Sequence, residues 1–224
     1  MRAAFLGMAL SLGFAFTSVE ANAQVIVIGG GLAEDCYWAA EYRADLTRGF
    51  NTCTRALQIG DLSLRDRAAS YTNRAVIRIR AGDFDGALAD SDRSISLITS
   101  MGESHINRGA ALLELDRAQE ALTSIEIGLD IGITRSYLAY YNRGAAKEKL
   151  GDISGAYYDY RASADLRPDF ALATDQLSRF RVIQQPTEIE IYDDGSFSSR
   201  PSDSDDQVAL IAPPPWETEA DEAE

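Results

Sequence analysis

An all-α solenoid of antiparallel helix pairs is the fold this sequence predicts, and three observations predict it. A triplet returns at a near-constant interval: Asn73-Arg74-Ala75, Asn107-Arg108-Gly109 and Asn142-Arg143-Gly144 are 34 and 35 residues apart, the period of a stacked helical hairpin. Apolar side chains inside the interval recur at helical rather than strand spacing, as in Tyr71, Ala75, Ile79 and then Phe84, Leu88, Ile95. Between the two runs of the first and third copies stand Gly82-Asp83 and Gly151-Asp152, a helix stop followed by a helix start.

The chain opens like an export signal. Arg2 precedes an apolar run from Ala3 through Phe16, broken only by small Gly and Ser, and Ala21-Asn22-Ala23 follows. That is the order of a basic start, an apolar stretch and a small-x-small cleavage site. The run is 14 residues long, against the roughly twenty needed to span a bilayer. Residues 1–23 therefore read as a signal peptide rather than an anchor, and the mature chain is expected to start at Gln24. The sequence before Cys36, Ala33-Glu34-Asp35, is not lipoprotein-like. A bacterial periplasmic or secreted location follows, with no stable membrane insertion after cleavage.

Residues 24–34 read as a flexible linker. Val25-Ile26-Val27-Ile28-Gly29-Gly30-Gly31 imitates the strand and turn of a dinucleotide site, but the sixth position is Glu34, whose charge opposes a pyrophosphate. Residues 35–67 read as two short helices holding the chain's two cysteines, Cys36 and Cys53. A redox or metal pair is the weaker reading, because the spacing is not C-x-x-C and no histidine is near. A structural disulfide is the stronger one, contributing about 3 kcal/mol in the chain-entropy model.

The copies agree well beyond the triplet. Ala87, Ala121 and Ala156 each follow the third residue of a triplet by 12, and Asp83, Asp116 and Asp152 stand where an N-cap would start the second helix. A small residue at position 8, Gly-Asp-aromatic or Gly-Asp-aliphatic at 15 to 17, Ala at 20 and Pro168 at 32 together resemble the tetratricopeptide repeat. The resemblance sets repeats at 68–101, 102–136 and 137–170 and implies a right-handed superhelix. Three departures stand out: Arg at position 7 throughout, His105 for the aromatic at position 4 (Tyr71 and Tyr140 elsewhere), and no Pro in the first two units. The stretch 35–67 looks like a worn fourth unit.

Two different ends flank the repeats. Phe170, Leu172, Leu177 and Phe180 fit an amphipathic capping helix over 171–184, since a terminal unit must cover its apolar face. Residues 185–224 hold twelve acidic residues against Arg200 alone, so they carry −11 of the net −14. Little apolar surface and high charge predict a disordered acidic tail. Two less polar islands in it, Ile189-Glu190-Ile191-Tyr192 and Val208-Ala209-Leu210-Ile211-Ala212, read either as chance clusters or as short docking motifs. Residues 24–184 carry nineteen basic and twenty-two acidic residues, a balance that argues against a nucleic-acid surface.

Catalysis finds no constellation. His105 is the only histidine, so a multi-histidine metal site cannot form; its place at position 4 reads as a packed core residue rather than the base of a Ser-His-Asp triad, and no cofactor is expected. The recurrent Arg has a structural use: Asp90 and Asp159 stand 16 residues after Arg74 and Arg143, predicting ion pairs within a hairpin, whereas Ser124 takes that place in the second repeat. The recurrent Asn is different. In the family that the repeats resemble, position 6 lines a concave groove, and an amide can both donate to and accept from an extended peptide. Asn73, Asn107 and Asn142 would form a ladder there, flanked at position 5 by Thr72, Ile106 and Tyr141 and at position 9 by Val76, Ala110 and Ala145. The alternative is a ladder that bonds only neighbouring helices. The cations with which some family members clamp a C-terminal carboxylate are absent at positions 2, 5 and 6.

The expected function is a non-enzymatic protein–protein interaction scaffold of the cell envelope, holding a peptide or extended segment of a partner protein in the groove. The rival is a structural component of an envelope assembly, contacting its partners through the convex face and the acidic tail.

Overall fold

The computed structural model describes residues 31–42, 45–59 and 61–183, and the short segments Glu188–Ile191, Phe197–Arg200 and Gln207–Leu210. The expected signal peptide and most of the linker lie outside the described residues. Nine helices are described: α1 (Leu32–Glu41), α2 (Leu46–Ile59), α3 (Leu64–Arg80), α4 (Phe84–Leu97), α5 (Gly102–Glu114), α6 (Ala118–Ile131), α7 (Ser136–Lys149), α8 (Ile153–Leu166) and α9 (Ala171–Leu177). Each helix packs on the next, and α1, α3, α5 and α7 also pack on one another in series. The odd-numbered helices thus form one layer of the solenoid and the even-numbered ones the other. Helix α1 begins at Leu32, inside the stretch expected to be linker.

The turns inside the hairpins show why the chain reverses where it does. Gly82 and Gly151 take φ of 74° and 84°, a region open to glycine at no steric cost. Immediately after them, Asp83 accepts from the Gly86 amide at 3.0 Å and Asp152 from the Gly155 amide at 2.9 Å, satisfying helix-start donors. The middle repeat departs from the expectation. Asp116 is not an N-cap; it takes the left-handed position of the glycines, at φ 58°, where Asp is tolerated better than most residues. Arg117 occupies the cap position, makes no cap bond, and closes the first turn of α6 with a fork to Glu120, both contacts at 2.7 Å.

Small residues bring the layers together. Ala75, Ala87 and Ala111 form one fully buried cluster, and Ile106, Leu112, Ala121 and Ile125 anchor the largest core. Gly109 is needed for this approach, because a Cβ there would lie 2.4 Å from Ile125 Cγ1. At the N-terminal end, Cys36 and Cys53 are joined in a disulfide that ties α1 to α2, packed against Ala40, Ala56 and Ile77.

The C-terminal end differs from the expectation. The capping helix stops at Leu177, and after a turn the chain becomes β1 (Phe180–Ile183). Val182 and Ile183 are β-branched and favour extended backbone, and a partner strand is at hand. β1 pairs antiparallel with β4 (Gln207–Leu210), Phe180 opposite Leu210. Nested between them, β2 (Glu188–Ile191) pairs with β3 (Phe197–Arg200), Glu188 opposite Arg200. Three short segments of the acidic stretch, β2, β3 and β4, are paired strands; its remainder lies outside the described residues. β4 lies against α8, and Phe180 is buried beside Tyr157 and Tyr160.

Candidate functional site

The arginine at position 7 does what its spacing predicts. Arg74 Nε and Nη2 donate to the two oxygens of Asp90 at 2.8 and 2.7 Å, and Arg143 grips Asp159 in the same way at 2.8 and 2.6 Å. Both carboxylates are buried, with side chains only 5% exposed, so these forks are not exposed surface pairs. Each guanidinium also covers the position-4 ring one turn earlier, Tyr71 at 5.5 Å and Tyr140 at 5.1 Å. Ring, arginine and carboxylate make one unit that joins the hairpin's two helices.

The second repeat lacks the ring and the acid, and its arginine turns elsewhere. Arg108 Nε reaches back to Asp92 of α4 at 2.8 Å, linking two repeats. Ser124 donates to the His105 carbonyl at 3.0 Å, and His105 Nε2 meets the Thr99 carbonyl at 3.0 Å. The lone histidine is a buried, bonded side chain. Beside it an open depression of about 420 Å³ is lined by His105, Arg108, Glu120, Thr123 and Ile127.

Asn73, Asn107 and Asn142 stand at equivalent places on α3, α5 and α7, all half-buried. They do not behave alike. Asn107 Nδ2 donates to the Thr72 carbonyl of α3 at 3.4 Å, a long bond to a neighbouring helix. Within the described residues the amides of Asn73 and Asn142 make no side-chain hydrogen bond. Val76, Ala110 and Ala145 beside them are half-buried.

Position 5 requires a correction. Thr72 and Ile106 do not face an open groove. Thr72 is buried in a knot of hydroxyls, 2.9 Å from Ser94 Oγ and 2.6 Å from Ser104 Oγ, which joins α3, α4 and α5. Ile106 is buried in the largest core, against the backbone of α6 where Gly128 leaves room. One residue before the asparagine, a helix has turned by about 100°, and that turn aims position 5 at the adjacent hairpin. Tyr141 is half-buried, edge-on to Phe170 at 5.4 Å, and burial raises its phenol above the ordinary value.

Two constellations carry no local sequence signal. Glu41, the last residue of α1, meets Arg135, just before α7, at 2.5 Å across a separation of 94 residues. Arg80, at the end of α3, donates to the Ala40 carbonyl of α1. Helix α1 thus reaches past α3 and α5 to the start of α7. At the other end Glu148, its side chain 1% exposed, pairs with Arg179 and accepts from the Tyr160 hydroxyl at 3.0 Å, which fastens the turn after α9 to the third repeat. Among the described residues no group of three or more His, Cys, Asp or Glu is placed to hold a metal ion, and no helix is long and apolar enough to cross a membrane.

Comparison with known proteins agrees with the repeat geometry. No family model matches the sequence. A stretch of 61 residues is 34% identical to the protein SGT1 homolog of Oryza sativa subsp. japonica, covering 27% of this chain and 17% of that protein. The matched stretch thus spans about a sixth of that relative's length. The structure is similar to the crystal structure of MamA, with a TM-score of 0.51 at 16% identity, covering 67% of this chain and 82% of MamA. The chain has the fold of a tetratricopeptide-repeat solenoid. A lower TM-score of 0.47 at 21% identity relates the solenoid to the first TPR of Spaghetti (RPAP3) bound to an HSP90 peptide, over 51% of this chain and 90% of that one. At 16% identity the likeness to MamA shows the fold alone.

Proposed function

We propose that this solenoid is a non-enzymatic protein–protein interaction scaffold of the cell envelope, holding an extended segment of a partner protein along α3, α5 and α7. The observation that carries the reading is the pair of amides, Asn73 and Asn142, that make no side-chain hydrogen bond among the described residues, two repeats apart on the odd-numbered layer and flanked by the small side chains of Val76, Ala110 and Ala145. A carboxamide that the fold leaves unpaired can both donate to and accept from a peptide backbone without selecting one side chain. Asn107, already bonded to α3, contributes less. The export-type N-terminus and the Cys36–Cys53 disulfide both fit an oxidising compartment outside the cytoplasm.

Placing a photo-crosslinking amino acid at 73, at 142 and at exposed Glu126 of α6 tests this in the native envelope. One shared partner captured from 73 and 142 but not from 126 supports the groove. Capture from 126 alone supports the rival, an assembly component contacted through its other face. The rival has its own observation, since β4 already lies on α8, so loss of the partner on deleting 185–224 favours it. Recovery of a mature chain starting at Gln24 tests export.

A further inference from the structure

Helix α1 carries an aromatic face that nothing described covers. Ala33, Cys36 and Ala40 point into the core. One helical face away, Trp38 and Tyr42 stack with centroids 5.1 Å apart and planes 19° from parallel, and Tyr37 meets Trp38 edge-on at 4.9 Å. Trp38 is 38% exposed and Tyr42 71%. This is not a loose end of the chain, because the disulfide, the Arg80 bond to Ala40 and the Glu41–Arg135 pair all hold the helix in place.

We propose that the Trp38–Tyr42 face docks an arginine-bearing extended segment of a partner protein. Charge is the first argument. Residues 31–45 hold four acids; Glu41 is taken by Arg135, which leaves Glu34, Asp35 and Asp45 against one cation of the segment, Arg43, which lies outside the described residues. Glu34 accepts from Trp38 Nε1 at 3.3 Å, which keeps a carboxylate at the rim of the ring. The second argument comes from the rest of the molecule. Tyr71, Tyr140 and Tyr137 each have a guanidinium over the ring, at 5.5, 5.1 and 5.0 Å. Among the described residues none lies over Trp38 or Tyr42, although indole is the strongest π acceptor for a cation. Arginine fits better than lysine, since its plane can stack on a ring while its N–H fork meets a carboxylate.

The test uses the full chain carrying Trp216→Phe, which leaves Trp38 as the only tryptophan, and peptides of alternating glycine with arginine, glutamate or serine. Peptide held by the acidic tail alone would leave Trp38 emission unchanged, so that emission reports on this face. The expected result is a saturable change with the arginine peptide only. Tyr42→Ala should weaken it about fivefold, the size of a partly exposed cation–π contact, with far-UV circular dichroism unchanged, while Asn73→Ala with Asn142→Ala leaves it intact. Equal response to the serine peptide, full affinity in Tyr42→Ala, or an emission change driven by protein concentration without peptide would each overturn the proposal, the last by pointing to a second copy of the chain.

Discussion

Glu41 and Arg135 meet at 2.5 Å although 94 residues separate them, and their contact joins the first helix of the solenoid to the end of its second repeat, just before α7. Both side chains are partly exposed, at 27% and 46%, which limits the pair to about 1 kcal/mol or less. Its effect is on shape. In Glu41→Gln, global stability should fall by under about 1 kcal/mol, while amide exchange quickens at the last turn of α1 and the first turn of α7 and stays unchanged in the middle of α5. Unchanged exchange at both ends would show that the contact holds nothing.

The buried forks behave otherwise. Asp159 receives Arg143 and, at 2.9 Å, Lys147, so Asp159→Asn leaves two half-buried cations without their acid. A loss of roughly 2–3 kcal/mol is expected, read as a drop in the urea midpoint. Arg108→Ala, which breaks an exposed pair with Asp92, should cost under about 1 kcal/mol. Equal losses in the two variants would contradict the difference in burial.

Close packing of α5 on α6 predicts a steric penalty. Gly109→Ala places a methyl 2.4 Å from Ile125 Cγ1 and should cost about 1–3 kcal/mol by overpacking. Ile125→Ala alone should cost about 2–5 kcal/mol by opening a cavity. In the double variant each change relieves the other, so the combined loss should be smaller than the sum. Strict additivity would mean that the two side chains do not meet.

Tyr160 links stability to alkaline pH. Burial, and then the charge and hydrogen bond of Glu148, push its phenol far above the ordinary 10.0. Above pH 10 the unfolded chain sheds this proton and the folded chain keeps it, so its stabilisation is complete below pH 10 and declines as pH rises beyond. Denaturant midpoints between pH 9 and 11 should fall less steeply in Tyr160→Phe than in the parent chain. Tyr37 and Tyr141, raised in the same direction, keep part of the slope.

How far the sequence foretells this structure depends on whether a feature repeats. The Arg–Asp forks were legible because one spacing of 16 recurs on a known period. Asp116 misleads for the converse reason: counted strictly by 34 it aligns with Gly82, not Asp83, and its backbone follows that alignment. The acidic stretch also carries a local signal. Asp194-Gly195, between the alternating Ile189-Glu190-Ile191 and Phe197, is a hairpin signature, and β2 and β3 form on either side of it. Position 5 was placed by family resemblance, while the actual direction of Thr72 and Ile106 follows from helix–helix crossing, which one strand of sequence does not display. The reach of α1 to Arg135 is a meeting of unrelated segments, and neither residue announces it.

Repeat arrays usually gain and lose whole units with little penalty, because each unit contacts only its neighbours. Here contacts at both ends of the array depend on its copy number. A further 34-residue unit inserted between α1 and α7 would carry Arg135 one hairpin away from Glu41, and one added after α8 would need the surface that β4 already occupies. The clasp at one end and the strand at the other make the length of the array as much a part of its specification as the sequence of any repeat.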